Sequence, residues 1–185
     1  HLKGFEKLGI NIKEEYGEII CNTEKIIGTQ IHLDFPSVGA TENIILASCL
    51  ADGNTILTNA AKEPEIEDLV KFLNKAGAKI KGAGTDRIEI IGVNRLSEIS
   101  YNIMPDRIEA GTYLVAGAIT GGNVKITNAN PSHIEPVLNK LEEANCELDI
   151  GKNYVKIKAP KRIKAVDIKT MPYPGFPTDM QSIFG

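Results

Sequence analysis

The 185-residue chain has no tryptophan, and aromatic residues make up only 5% of it. With so few stacking groups, and 21 Lys and Arg against 24 Asp and Glu, it offers no footprint for nucleic acid or an anionic membrane surface. The basic cluster Lys161-Arg162-Ile163-Lys164 reads as a solvated turn. No apolar run approaches the roughly 20 residues that span a bilayer, and no signal-peptide pattern opens the chain. Cys21, Cys49 and Cys146 are odd in number, far apart and without His at metal spacing. They fit neither a disulfide framework nor a zinc site, and a reducing cytoplasm is the expected setting. Cys49 lies in an apolar helical stretch and reads as a small core residue, not a nucleophile. Among the histidines, His1 opens the chain, His32 lies in a strand and His133 precedes a helix; none stands in a pattern that suggests a triad. Gly82-Ala83-Gly84 leads into a strand where a dinucleotide fingerprint leads into a helix, so no cofactor is expected.

What the chain does have is a repeat with a period of about 69 residues. Gly53-Asn54-Thr55-Ile56-Leu57-Thr58-Asn59-Ala60 returns as Gly122-Asn123-Val124-Lys125-Ile126-Thr127-Asn128-Ala129. Ile66-Glu67, followed by Leu69 and Leu73, returns as Ile134-Glu135 followed by Val137 and Leu141. The opening Phe5 to Ile12, with Tyr16 to Ile20 after it, lines up with Leu141 to Leu148 and Tyr154 to Ile157, the second half of a unit. Val166-Asp167-Ile168 and Phe176-Pro177-Thr178-Asp179-Met180 resemble a first half. The chain is therefore expected to be an internal piece of a longer repeat protein.

One unit reads as β-α-β-α-β-β. Ile31-His32-Leu33 is a strand, and Thr41 is placed to cap a helix from Glu42 to Ala51 that is apolar or small on nearly every side. Thr55 to Thr58 follows as a strand, Pro64 opens a second helix that closes at Ala76-Gly77, and strands Lys79 to Lys81 and Arg87 to Ile91 complete the unit. The second unit, from about Tyr101 to Ile157, is expected to repeat this order, with Gly111-Thr112 entering the helix Tyr113 to Ile119. Helices apolar on all sides must be surrounded. The expected fold is thus α/β (α+β), an inside-out α/β barrel of repeated units about a pseudo-threefold axis, with the helices central and the sheets outside.

The loops ahead of each unit's first helix differ where the scaffold repeats, and a helix start attracts anions through its unpaired N–H groups. Asp34-Phe35-Pro36-Ser37-Val38-Gly39 suits backbone capture of a phosphate, or simple N-capping. Met104-Pro105-Asp106-Arg107-Ile108-Glu109 carries charges that a salt bridge fixing the loop would use. Met171 to Met180 is stiffened by Pro172, Pro174 and Pro177 and delivers Asp179, either as a working carboxylate or as an N-cap.

Five motifs in order resemble the UDP-N-acetylglucosamine branch of the enolpyruvyl transferase family: Pro36-Ser37-Val38-Gly39-Ala40-Thr41, Lys62-Glu63-Pro64-Glu65-Ile66, Gly84-Thr85-Asp86-Arg87-Ile88, Pro105 to Thr112, and Phe176 to Gln181. The resemblance covers essentially the whole chain. It implies transfer of the enolpyruvyl group of phosphoenolpyruvate to the 3′-hydroxyl of UDP-N-acetylglucosamine, with loss of phosphate, in peptidoglycan synthesis. It implies that Asp179 contacts that hydroxyl and handles its proton, and that Ser37, Val38 and Gly39 approach the substrate diphosphate. Phe35 stands where some relatives have a lysine near the nucleotide. The family's reactive cysteine loop falls upstream of His1, so the chain alone is expected to be inactive. Residues 1–97 would belong to one domain and 98–185 to a second, and the two end half-units could pair within or between chains. A non-catalytic nucleotide-sugar-binding paralogue and the shikimate-pathway transferase are the alternatives.

Overall fold

In the computed structural model, which describes residues 1–184, the sequence repeat returns as repeated backbone geometry. Helices α1 (Leu2–Lys7), α3 (Pro64–Lys75) and α5 (Glu135–Glu143) end in the same way. Two residues past each helix the chain turns left-handed, at Gly9, Gly77 and Asn145, with φ of 85°, 106° and 67°. The next amide then reaches back to the last turn: Ile10 N–H donates to Phe5 C=O at 3.1 Å, Ala78 to Leu73 at 2.9 Å and Cys146 to Leu141 at 3.0 Å. These are Schellman closures, which need glycine or asparagine at the left-handed position.

Each closure feeds an antiparallel hairpin: β1 (Asn11–Glu15) with β2 (Glu18–Asn22), β5 (Lys79–Lys81) with β6 (Arg87–Ile91), and β8 (Glu147–Ile150) with β9 (Tyr154–Lys158). After each hairpin the chain returns to its helix end. Ile27 N–H donates to Leu8 C=O at 2.9 Å, Ser97 to Ala76 at 2.8 Å and Lys164 to Ala144 at 3.1 Å. The opening is therefore the second half of a unit, as its alignment with Leu141 to Ile157 implies.

Contacts divide the chain into two units, His1–Ile103 and Met104–Gly185. In the first, β3 (Gln30–His32) pairs parallel with β4 (Asn54–Thr58), giving a mixed sheet in the order β3-β4-β6-β5. Its core joins Ile44 and Ile45 of α2 (Val38–Ser48) to Leu57, Ile66, Ile88 and Ile90. In the second, α4 (Arg107–Ile119) and α5 cover the sheet β7-β9-β8, where β7 is Asn123–Thr127. Leu114, Val137, Leu141, Val155, Ile157 and Met180 form that core.

Three sequence expectations are corrected. Helix α2 begins at Val38, a turn ahead of Glu42, because Ser37 caps it; Thr41 is buried inside. Likewise α4 begins at Arg107, well ahead of Tyr113, because Asp106 caps it. The strand expected at Tyr101 is absent, since residues 101–106 carry no strand. Tyr101 is drawn to α3 instead: its hydroxyl donates to the Asp68 carboxylate at 2.8 Å and its ring meets Phe72 edge to face at 5.6 Å. The apolar helices are also less enclosed than their sequences demand. Leu46 and Leu50 stay exposed on and just past α2, as do Tyr113 and Ile119 on α4.

Candidate functional site

The start of α2 is built by a cap. Ser37 holds extended backbone, and its Oγ accepts from Ala40 N–H at 3.3 Å. Thr41, fully buried, donates to Ser37 C=O at 2.8 Å and accepts from Ala61 N–H at 3.0 Å, fixing the helix start to the chain beyond β4. The N–H groups of Val38 and Gly39 are left in the first turn without an intrahelical acceptor, the geometry that receives an anion. A Cβ at residue 39 would lie 3.1 Å from His1 Cε1, so glycine lets the imidazole close over the helix start. His1 Nδ1 also meets Asn43 Nδ2 at 2.8 Å.

In front of this helix start opens a cavity of about 610 Å³ walled by His1, Lys3, Lys7, His32, Asp34 and Ser37, among others. Lys3 and Lys7 stand one turn apart on α1. The Lys3 ammonium sits 2.8 Å from Asp34; that hydrogen bond and its charge hold the Asp34 carboxyl below its ordinary range and raise the lysine. His32 Nδ1 meets Thr58 Oγ1 at 3.0 Å. Phe35 is exposed at the rim. The cavity thus combines Lys7, the Lys3–Asp34 pair and two histidines beside the capped start of α2, a set suited to a phosphorylated ligand.

In the second unit, Asp106 accepts from Ile108 N–H at 2.7 Å and from Glu109 N–H at 3.2 Å. It is a helix cap, where the sequence offered a salt bridge. The proline-rich loop folds on itself through Met171 N–H to Phe176 C=O at 3.0 Å and Gly175 N–H to Pro172 C=O at 2.8 Å. Phe176 and Met180 are buried on either side of Asp179. Asp179 lies in the 3-10 turn Thr178–Met180, which has no side-chain cap. Its carboxylate is exposed and makes no hydrogen bond or ion pair among the described residues, so it is available to a ligand.

Ser37, Val38 and Gly39 are therefore gathered at one helix start in the first unit, while Asp179 stands on a braced loop in the second. Sequence reasoning set His1 aside as a chain end and passed over Lys3 and Lys7. The signal available was the lysine pair at helical spacing on α1. Among the described residues no cluster of His, Cys, Asp and Glu forms a metal site, and no helix is long and apolar enough to cross a membrane.

A family model described as EPSP synthase (3-phosphoshikimate 1-carboxyvinyltransferase) matches residues 1–185. The chain is 58% identical over 182 residues to UDP-N-acetylglucosamine 1-carboxyvinyltransferase 2 of Caldanaerobacter subterraneus subsp. tengcongensis, covering 98% of this chain and 44% of that protein. It is 50% identical over 184 residues to the UDP-N-acetylglucosamine 1-carboxyvinyltransferase of Geobacter metallireducens, again covering 44% of the relative. The chain thus spans under half the length of the curated relatives it matches. Among solved structures, the enolpyruvyl transferase NikO from Streptomyces tendae superposes with a TM-score of 0.83 at 21% identity, over 98% of this chain and 46% of that one. EPSP synthase from Acinetobacter baumannii gives 0.61 at 22% identity, over 85% of this chain and 38% of its own. These likenesses establish the fold as that of the inside-out α/β barrels.

Proposed function

Since the chain belongs to the EPSP synthase family of carboxyvinyltransferases, we propose that its parent protein transfers the enolpyruvyl group of phosphoenolpyruvate to the 3′-hydroxyl of UDP-N-acetylglucosamine. The observation that carries this choice of acceptor is the 58% identity, across nearly the whole chain, to a relative named for that nucleotide sugar. The likeness to EPSP synthase is one of fold alone.

In this reading the Val38 and Gly39 N–H groups, with Lys3, Lys7 and the histidines of the cavity, receive the diphosphate of the nucleotide sugar. Residue 35, an exposed phenylalanine, adds no charge contact to these. Asp179 takes the proton of the 3′-hydroxyl as the hydroxyl oxygen bonds to C2 of phosphoenolpyruvate and C3 gains a proton to become a methyl group; the tetrahedral adduct then gives up a C3 proton as the bond between C2 and the phosphate oxygen breaks, which restores the double bond and releases phosphate. A carboxylate that makes no hydrogen bond or ion pair among the described residues suits that proton transfer. Residues 1–97 belong to one domain of the parent protein and 98–185 to the other, and closure of the parent's domains over the substrates excludes water. Further helices of those domains cover Leu46, Leu50, Tyr113 and Ile119. The product feeds peptidoglycan synthesis in the bacterial cytoplasm, and the chain by itself has no transferase activity.

The test is phosphate release from phosphoenolpyruvate by the full-length parent, with UDP-N-acetylglucosamine or shikimate 3-phosphate as acceptor. Release with the nucleotide sugar alone supports the reading. Release with shikimate 3-phosphate assigns the shikimate-pathway reaction, and nucleotide-sugar binding without release assigns a non-catalytic paralogue; either contradicts it.

A further inference from the structure

The loop that carries Asp179 is gripped at two points by one face of α4. Arg107, at the first position of that helix, is only 7% exposed, an unusual place for a guanidinium. Among its interactions it lies over the Tyr173 ring, with Cζ 5.6 Å from the ring centre. One turn further along the same face stands Gly111. A Cβ there would come 2.9 Å from Met180 Cε and 3.2 Å from Met180 Sδ, so the missing side chain is the space that Met180 fills. Met180 is fully buried and follows Asp179 directly.

The repeat shows that this grip is peculiar to the second unit. Aligned through Gly53 and Gly122, Ser37 falls on Asp106, and both cap their helices. In the same alignment Val38 falls on Arg107 and Glu42 on Gly111. The scaffold keeps the cap and exchanges the two residues that touch the loop. An interior glycine weakens a helix relative to alanine, so the room it makes offsets a local loss.

We propose that Arg107 and Gly111 are positioning residues: by holding Tyr173 and Met180, they fix the loop between and so set where the Asp179 carboxylate stands. This rests on the functional reading above. An error of about 1 Å in placing a reacting group costs on the order of 100-fold in rate, so a loosened loop acts on turnover more than on binding.

The experiment measures kcat, KM and the Kd for UDP-N-acetylglucosamine in the full-length parent, for wild type, Asp179→Asn, Arg107→Met, Arg107→Lys, Tyr173→Leu and Gly111→Ala. Arg107→Met, Tyr173→Leu and Gly111→Ala are each expected to lower kcat by about 10-fold or more with Kd within about twofold of wild type. Arg107→Lys, which keeps a cation over the ring, regains part of the loss, and Arg107→Met adds little to Tyr173→Leu in the double variant. Added to Asp179→Asn, Arg107→Met costs nothing further. Wild-type kcat in the loop and α4 variants beside a crippled Asp179→Asn overturns the positioning role alone. Full additivity with Asp179→Asn, or a parallel loss of kcat and binding, overturns it too. Should Arg107→Met fail to fold, Tyr173→Leu and Gly111→Ala decide. No release by wild type, or undiminished release by Asp179→Asn, overturns the functional reading itself.

Discussion

Thr41 shows what one side chain contributes at the start of α2. It is fully buried, donates to Ser37 C=O and accepts from Ala61 N–H, so it joins two segments that share no regular structure. Thr41→Val keeps the shape but strands the Ala61 N–H. The expected loss is about 1–3 kcal/mol, read from the midpoint of urea unfolding; an unchanged midpoint contradicts the assigned bond. The cysteines give a second residue-scale prediction. Burial pushes the Cys49 thiol up to about 11 and raises Cys146, whereas Cys21 is exposed on β2. At pH 8 a thiol reagent should label Cys21 promptly and the other two only in denaturant; rapid native labelling of Cys49 contradicts it. Its core character was legible from the apolar residues around it. Capping by Ser37 was one of the two readings open for residues 34–39, but the helix start was placed a turn too late, at Glu42 with Thr41 as its cap, because the apolar pattern begins only at Ile44.

Local chemistry made the elements legible where it decides them alone. The hairpin of Lys79–Lys81 with Arg87–Ile91 falls where β-branched residues and Gly82 to Asp86 put it, and the left-handed Gly77 ends α3 as the glycine after Ala76 implies. The strand expected at Tyr101 failed because a strand is made by its partner, and no sequence pattern says which partner Tyr101 prefers. Glu42, half-buried on α2, offers a test at this scale. Burial, and then the nearby Glu65 charge, raise its carboxyl above the ordinary range. The unfolded chain gives up this proton at about pH 4.3, the folded one later, so ionised Glu42 opposes folding and stability falls as pH rises through the raised value. Glu42→Gln should therefore be more stable than wild type at pH 7, with the difference closing below about pH 4. A difference independent of pH, or a less stable glutamine variant, contradicts this.

For the whole molecule, the repeat was the most legible feature. Its phase announced an opening half-unit, and α1 with β1 and β2 reproduces the closures of α3 and α5. The candidate site was legible by halves. Ser37, Val38 and Gly39 stand at a helix start and Asp179 on a braced loop, as the prolines implied. The cavity's lysines and the Arg107 grip were hidden, because they arise from elements brought together by folding and not from neighbours in sequence. In the proposed function the chain is part of a larger catalyst, in which the helix start at Ser37 binds the nucleotide sugar and Asp179 supplies the carboxylate.

The most direct test of that division measures phosphate release and UDP-N-acetylglucosamine binding together, in the full-length parent and its Asp179→Ala variant. The account predicts release in the wild type, a loss of about 100-fold or more in the variant, and binding retained within a few-fold in both. Release undiminished by the substitution would contradict the role given to Asp179 and, with it, the account.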